Sequence, residues 1–157
     1  MISLVCGKEV LAAAVGDVNT KEIFYYRPDS TKVHRVYPPD GGMVVCERLK
    51  IVADRSLKEQ YLLLRDNPAD LSEGARRLTR PAKKCGLFKN LQVTAGSIGL
   101  SMARLWKEEV AACILSPALE KPWDFCPVLG ITKKLGFLFF EIDPQDGKLT
   151  KIEVNPG

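Results

Sequence analysis

Histidine is almost missing from this chain: His34 is the only one in 157 residues. That excludes a histidine-built metal cluster. It also excludes any Ser-His-Asp arrangement that does not run through His34, which lies beside no nucleophile elbow. Aromatic residues are sparse, at 8%. Neither Gly-x-Gly-x-x-Gly nor the Gly-x-x-x-x-Gly-Lys-Ser/Thr phosphate loop is present. No apolar run approaches the ~20 residues of a membrane span. Met1-Ile2-Ser3-Leu4-Val5 is apolar, but Lys8 and Glu9 follow at once, so the charged start, length and cleavage site of a signal peptide are missing. Asp143 to Gly147 is too short and too poor in ligands for an EF-hand.

The five cysteines, Cys6, Cys46, Cys85, Cys113 and Cys126, are odd in number and form no Cys-x-x-Cys pair. Three sit in apolar runs, which reads as reduced core thiols of a cytoplasmic protein. What is present is ordinary globular material, 46% hydrophobic and 27% charged. Whole-chain disorder is therefore excluded, and the length is that of one domain with a sizeable core. The net charge of +4 favours acidic or phosphorylated ligands slightly and is far from a nucleic-acid-binding signature.

The expected fold class is α/β, with N-terminal antiparallel hairpins over 1–55 and a mostly parallel sheet with helices over 56–157. In the first region Glu9 to Val15, Lys21 to Arg27, Lys32 to Tyr37 and Met43 to Cys46 read as strands. Asp17-Val18-Asn19-Thr20, Pro28-Asp29-Ser30 and Pro38-Pro39-Asp40-Gly41-Gly42 separate them as turns. In the second region Tyr61-Leu62-Leu63-Leu64 reads as a buried strand ended by Asp66-Asn67-Pro68. Asn67 then caps a helix carrying Leu71, Ala75 and Leu78 on one face, which Pro81 stops. Leu91 to Thr94 is strand-like. A helix follows Ala95-Gly96-Ser97 with Ile98, Met102, Leu105 and Trp106 as its stripe. Val110 to Leu115 has strand length. A helix opens at Pro122-Trp123-Asp124 and ends at Gly136. Phe137 to Ile142 reads as a further buried strand, and Asp143 to Gly147 turns it into Lys148 to Val154.

Three constellations can carry chemistry. Gly96, Ser97 and Ile98 lie at a strand-to-helix junction, where free amides and the helix dipole receive anions such as phosphate. The plainer reading is a helix start capped by Ser97. Asp124 either caps its helix or ligates a hard cation such as Mg²⁺. Both motifs follow strands of one α/β unit, at the sheet edge where open sheets place ligands. The third is the basic segment Arg76, Arg77, Arg80, Lys83, Lys84 and Lys89. It has little aromatic interleaving, and its charges gather at a helix C-terminus, as on a solvated surface.

Together these pieces resemble the inositol monophosphatase family over nearly the whole chain. Gly96-Ser97-Ile98-Gly99-Leu100 is similar to the family's Gly-Ser/Thr-Ala-Ala stretch. Lys121-Pro122-Trp123-Asp124 is similar to its Pro-Trp-Asp. Ile2 to Val5, Glu9 to Asp17 and Glu22-Ile23-Phe24-Tyr25 resemble the hairpin after its first metal motif. The resemblance implies the C-terminal half of that fold, a phosphate contact at Gly96, Ser97 and Ile98, and Asp124 as a metal ligand. It also marks departures. The family's Asp-Pro-Ile-Asp-Gly-Thr motif would precede Ile2, and neither it nor the earlier Glu-Glu motif is in this sequence. Ser116-Pro117 stands near the place of a substrate-binding acid, and Pro127 interrupts the start of the helix that opens at Pro122.

Family enzymes use Mg²⁺ ions to activate water, and one carboxylate cannot hold such a site. Asp17 and Glu22 are the acids available for recruitment to Asp124. The expectation is therefore a truncated relative, weak or inactive as a phosphatase alone, that binds phosphate or assembles. An active Mg²⁺-dependent phosphatase of inositol, sugar or nucleotide monophosphates is the alternative. A sheet without its family's outer layer exposes apolar faces, so a second copy or a partner chain is expected to cover it. Nucleic acid and membrane are not expected partners.

Overall fold

The computed structural model describes residues 1–39, 42–52, 54–65, 67–84, 86–94, 96–115 and 121–156. Asp40-Gly41, Asp66, Cys85, Ala95 and Ser116-Pro117, each part of an expectation above, lie outside the described residues.

Five strands form an antiparallel meander in chain order: β1 (Ile2–Cys6), β2 (Glu9–Asp17), β3 (Glu22–Tyr26), β4 (His34–Tyr37) and β5 (Val45–Arg48). Alternation decides the faces. Glu22, Phe24 and Tyr26 point inward on β3, opposite Asp17, Val15 and Ala13 of β2. Ile23 and Tyr25 point outward, with Val36 and His34 of β4 beside them.

Two helices cover the inner face. α2 (Ile98–Trp106) buries Ile98, Met102, Leu105 and Trp106, the stripe read from the sequence. α3 (Pro122–Lys134) lies close against β2. Its approach depends on Gly130, where an added Cβ would stand 2.5 Å from the Tyr26 hydroxyl and 2.8 Å from Val10 Cγ1. Phe24 and Trp106 meet edge to face at 5.3 Å. The Trp106 indole donates to Thr132 Oγ1 at 3.0 Å, and that hydroxyl donates to the Val128 carbonyl at 2.7 Å, so no polar atom of this contact is stranded.

The second sheet is three-stranded and parallel, in the order β7 (Asn90–Val93), β6 (Tyr61–Leu64), β8 (Ala112–Ile114). Its central strand is covered on both faces, which is why Leu62, Leu63 and Leu64 form a continuous apolar run. Leu63 joins the core under the first sheet. Leu62 and Leu64 pack with Leu71, Ala75, Phe88 and Ile114 on the other side.

Three expectations are corrected. The helix after Asn67 is two pieces: a single 3-10 turn over Pro68–Asp70 capped by Asn67, then α1 (Glu73–Leu78) capped by Ser72. Leu71 therefore packs from the break between them, not from the helix. Phe137 to Ile142 does not add a buried strand to the parallel sheet. Among the described residues β9 (Phe139–Ile142) pairs only with β10 (Leu149–Ile152), in a separate hairpin, with Phe140 exposed. Finally, Cys6 and Cys46 are not core thiols but exposed; Cys126 is buried and Cys113 half-buried. Among the described residues no helix is long and apolar enough to cross a membrane.

Candidate functional site

The parallel register places Val93, Leu64 and Ile114 at one level. The segments that continue from β7, β6 and β8 therefore leave the sheet at a common edge, the C-terminal one. Gly96 and Ser97 follow β7 there, Arg65 follows β6, and α3 with Asp124 follows β8.

Gly96 has φ +129°, a conformation that favours glycine, and an added Cβ would meet nothing within 4 Å, so the loop is open to solvent. Ser97 caps α2, its Oγ accepting from the Gly99 amide at 3.2 Å. The Ser101 amide bonds back to the Ser97 carbonyl, which begins the helical ladder. The earlier amides, those of Ile98 and Leu100 among them, precede that ladder and carry the positive end of the helix dipole. The Ile98 side chain is buried in the core, so this residue can offer a ligand only its backbone.

Sequence reasoning missed Arg65. Its Nη2 donates to the Gly96 carbonyl at 3.1 Å, which places a guanidinium beside the loop. Thr94, the residue after β7, has a buried Oγ1 with no hydrogen-bond partner among the described residues. The signal for Arg65 was its position, the first charged residue after the most buried strand. Nothing local says that it meets a loop 31 residues on.

Asp124 is not the cap of α3. Lys121 holds that position without a side-chain bond, Pro122 follows, and Asp124 stands third in the helix. Its carboxylate is half-buried, favoured there by the helix dipole, and no hydrogen bond or ion pair to a described residue engages it. Pro127 is accommodated inside the helix, which continues to Lys134.

The acids named as recruits are committed elsewhere. Asp17 accepts from the Asn19 amide and the Thr20 hydroxyl, both at 2.9 Å, in a turn of the first sheet. Glu22 is buried and ion-paired to Arg35 and, at 3.2 Å, to Lys107. Burial alone would push its carboxyl up, but hydrogen bonds from Thr20, Arg35 and Lys107 outweigh that and hold it below the usual range. The chain of charges runs on through Glu109 and Arg104 to Gln92 of β7, tying the two sheets together. Among the described residues no three His, Cys, Asp or Glu side chains come together as a metal site. Mg²⁺ takes a near-octahedral set of oxygens, so Asp124 with its described neighbours does not fit that ion.

The basic segment does not converge either. Arg76 and Arg77 pair with Glu73 at 3.5 and 3.7 Å on the surface of α1, and Lys89 lies over the Tyr61 ring.

Sequence comparison finds no matching family model and no matching curated protein. Solved structures do match. SuhB of Mycobacterium tuberculosis superposes with a TM-score of 0.63 at 14% identity, covering 88% of this chain and 52% of that one. The Thermotoga maritima inositol monophosphatase gives 0.57 at 17%, covering 89% and 47%. Inositol monophosphatase II of Staphylococcus aureus, solved with inositol monophosphate bound, gives 0.51 at 16%, covering 89% and 50%. The chain thus has the fold of a part of these proteins and spans about half the length of each.

Proposed function

Starting from the fold that this chain shares with about half of an inositol monophosphatase, we propose that it binds a small phosphorylated molecule at the β7–α2 junction. On this reading it acts by binding or assembly and does not hydrolyse the phosphate on its own. The observation that carries the proposal is the Arg65 guanidinium on the Gly96 carbonyl, beside the leading amides of α2. An arginine next to helix-start amides offers a phosphate both charge and directed donors. The donor set supports the second half: among the described residues Asp124 is one oxygen donor group where phosphate hydrolysis by Mg²⁺ needs a full ligand shell.

Titration with inositol monophosphate tests this reading. Binding is expected in the wild-type chain and is expected to weaken about tenfold in Arg65→Ala, the loss of a charge-assisted hydrogen bond. Arg76→Ala removes the same charge from α1 and is expected to bind as wild type. Equal affinity in Arg65→Ala would remove the site.

The same proposal includes assembly. Ile2 and Leu4 on the edge strand β1, and Leu149 and Ile152 on β10, are exposed apolar residues on strands that pair on one side only among the described residues. A second copy or a partner chain covering them is the expected arrangement, in a reducing compartment such as the cytoplasm that suits the free thiols. Sedimentation of the purified chain is expected to show a dimer that dissociates on dilution. A clean monomer at high concentration would count against assembly.

A further inference from the structure

We propose that Cys46 is a reactive thiol that exchanges with small-molecule disulfides, with His34 as the base that takes its proton. The chain's only histidine and an exposed cysteine meet on the outer face of the first sheet, away from the phosphate site. Cys46 Sγ lies 3.8 Å from His34 Nδ1 and 3.8 Å from the Tyr25 hydroxyl. Tyr25 stacks on the His34 ring at 5.5 Å and fixes its plane. Two adjacent strands, β3 and β4, thus bring a phenol and an imidazole to a sulfur on a third, β5.

The charged residues described beside this cluster are cationic. Arg48 stands directly across from His34 on the same face, and Arg27 reaches Tyr25 with its positive charge. Val36 is the cross-strand neighbour of Cys46. The remaining outward residue of β3 is Ile23, and the carboxylates of this region, Glu22 and Glu47, pair with Arg35 on the inner face. The groups placed at the Cys46 sulfur are thus an imidazole and a phenol, with Arg48 across from the imidazole, and among the described residues no carboxylate is in contact with the thiol.

The step balances without an outside electron source. The Cys46 proton passes to His34 Nδ1. The thiolate attacks one sulfur of a disulfide, a bond forms between that sulfur and Cys46, and the original sulfur–sulfur bond breaks. Cys46 is oxidised, the departing sulfur is reduced, and it leaves as a thiolate that takes up the proton.

Cys6 is a control within the same molecule. It is also exposed and also sits on an edge strand, but its cross-strand partner is Glu9, and no imidazole can be near it because the chain has none other than His34. The test uses the full, reduced chain, glutathione disulfide as the probe and mass mapping of each cysteine over pH 6 to 9. Cys46 is expected to react about tenfold faster than Cys6 at pH 7. In His34→Gln, shown folded by circular dichroism, that advantage is expected to disappear at pH 7, and the two chains to converge near pH 9, where ordinary thiols ionise. Arg48→Gln, which keeps the imidazole, is expected to lower the rate by a smaller factor. Equal rates at Cys46 and Cys6, or a Cys46 rate untouched by His34→Gln across the pH range, would overturn the proposal.

Discussion

Trp106→Ala is expected to cost about 3–5 kcal/mol, the range for deleting a large buried aromatic, and so to remove a large share of a small domain's stability. Trp106 is 1% exposed and belongs to the core between the first sheet and its helices. It is the last residue of α2, it meets Phe24 of β3 edge to face, and its indole reaches Thr132 of α3. One side chain therefore ties two helices to the sheet, and truncating it opens a cavity where three elements meet. Trp106→Phe separates packing from hydrogen bonding. It keeps most of the ring contact with Phe24 and removes only the indole donor, while the Thr132 hydroxyl still donates to Val128. That change is expected to cost about 1–2 kcal/mol. Urea unfolding of both variants checks the pair, and Trp106→Phe gives a reading even if Trp106→Ala does not fold. A loss below about 1 kcal/mol in Trp106→Ala would contradict the packing described here.

Glu22→Ala is the second large effect, at about 2–3 kcal/mol. Removing one member of a buried ion pair leaves its partners uncompensated, which costs about 3–5 kcal/mol when all are fully buried. Here the carboxylate is buried, but Arg35 and Lys107 remain 23% and 21% exposed, so water screens part of the loss. Glu47 and Glu109 also stay beside the two cations.

The network carries a pH dependence as well. The Glu22 carboxyl titrates below its ordinary value of 4.5 in the folded chain, so the folded state holds its proton less readily than the unfolded state. The resulting stability is fully present above about pH 4.5 and is lost as the pH falls through the lower folded value. Glu109, pushed up by burial but held down more strongly by Lys107 and Arg104, acts in the same direction. Urea midpoints measured from pH 6 down to pH 3 are expected to fall more steeply in the wild type than in Glu22→Gln. Parallel curves would show that Glu22 is not the titrating group.

The parts of the fold that local patterning determines were legible. Apolar runs over Glu9 to Val15 and Lys21 to Arg27, separated by the turn chemistry of Asp17-Val18-Asn19-Thr20, placed the hairpins, and the register holds because a one-residue slip would turn Phe24 and Val15 outward. The stripe of Ile98, Met102, Leu105 and Trp106 and the cap at Ser97 placed α2, since both are properties of one turn of helix. The strand at Tyr61 to Leu64 was readable because four apolar residues between turn signals suit a strand covered on both faces.

The errors have the opposite origin. Phe137 to Phe140 is as apolar as Leu62 to Leu64, and only tertiary pairing shows that β9 finds β10 and leaves Phe140 exposed. The helix after Asn67 looked continuous because Leu71 keeps helical spacing with Ala75, yet Ser72 offers a second cap between them. At the candidate site, Gly96, Ser97 and Asp124 could be singled out because each opens a helix. Arg65 could not, because its partner is distant in sequence. The same distance hid the binding of Glu22 to Lys107, 85 residues apart, and with it the reason Glu22 cannot be lent to a metal.

On the proposed function a phosphomonoester is held at the β7–α2 junction and survives there. One sample tests it: the chain with inositol monophosphate and Mg²⁺, followed by amide chemical shifts and by phosphorus resonance together. The shifts are expected to saturate at Gly96, Ser97, Ile98 and Gly99 while the phosphorus signal stays that of the intact ester. Steady release of inorganic phosphate, abolished by Asp124→Asn, would contradict it and make the chain an active phosphatase, and an unmoved Gly96 to Gly99 would mean that the ligand site lies elsewhere.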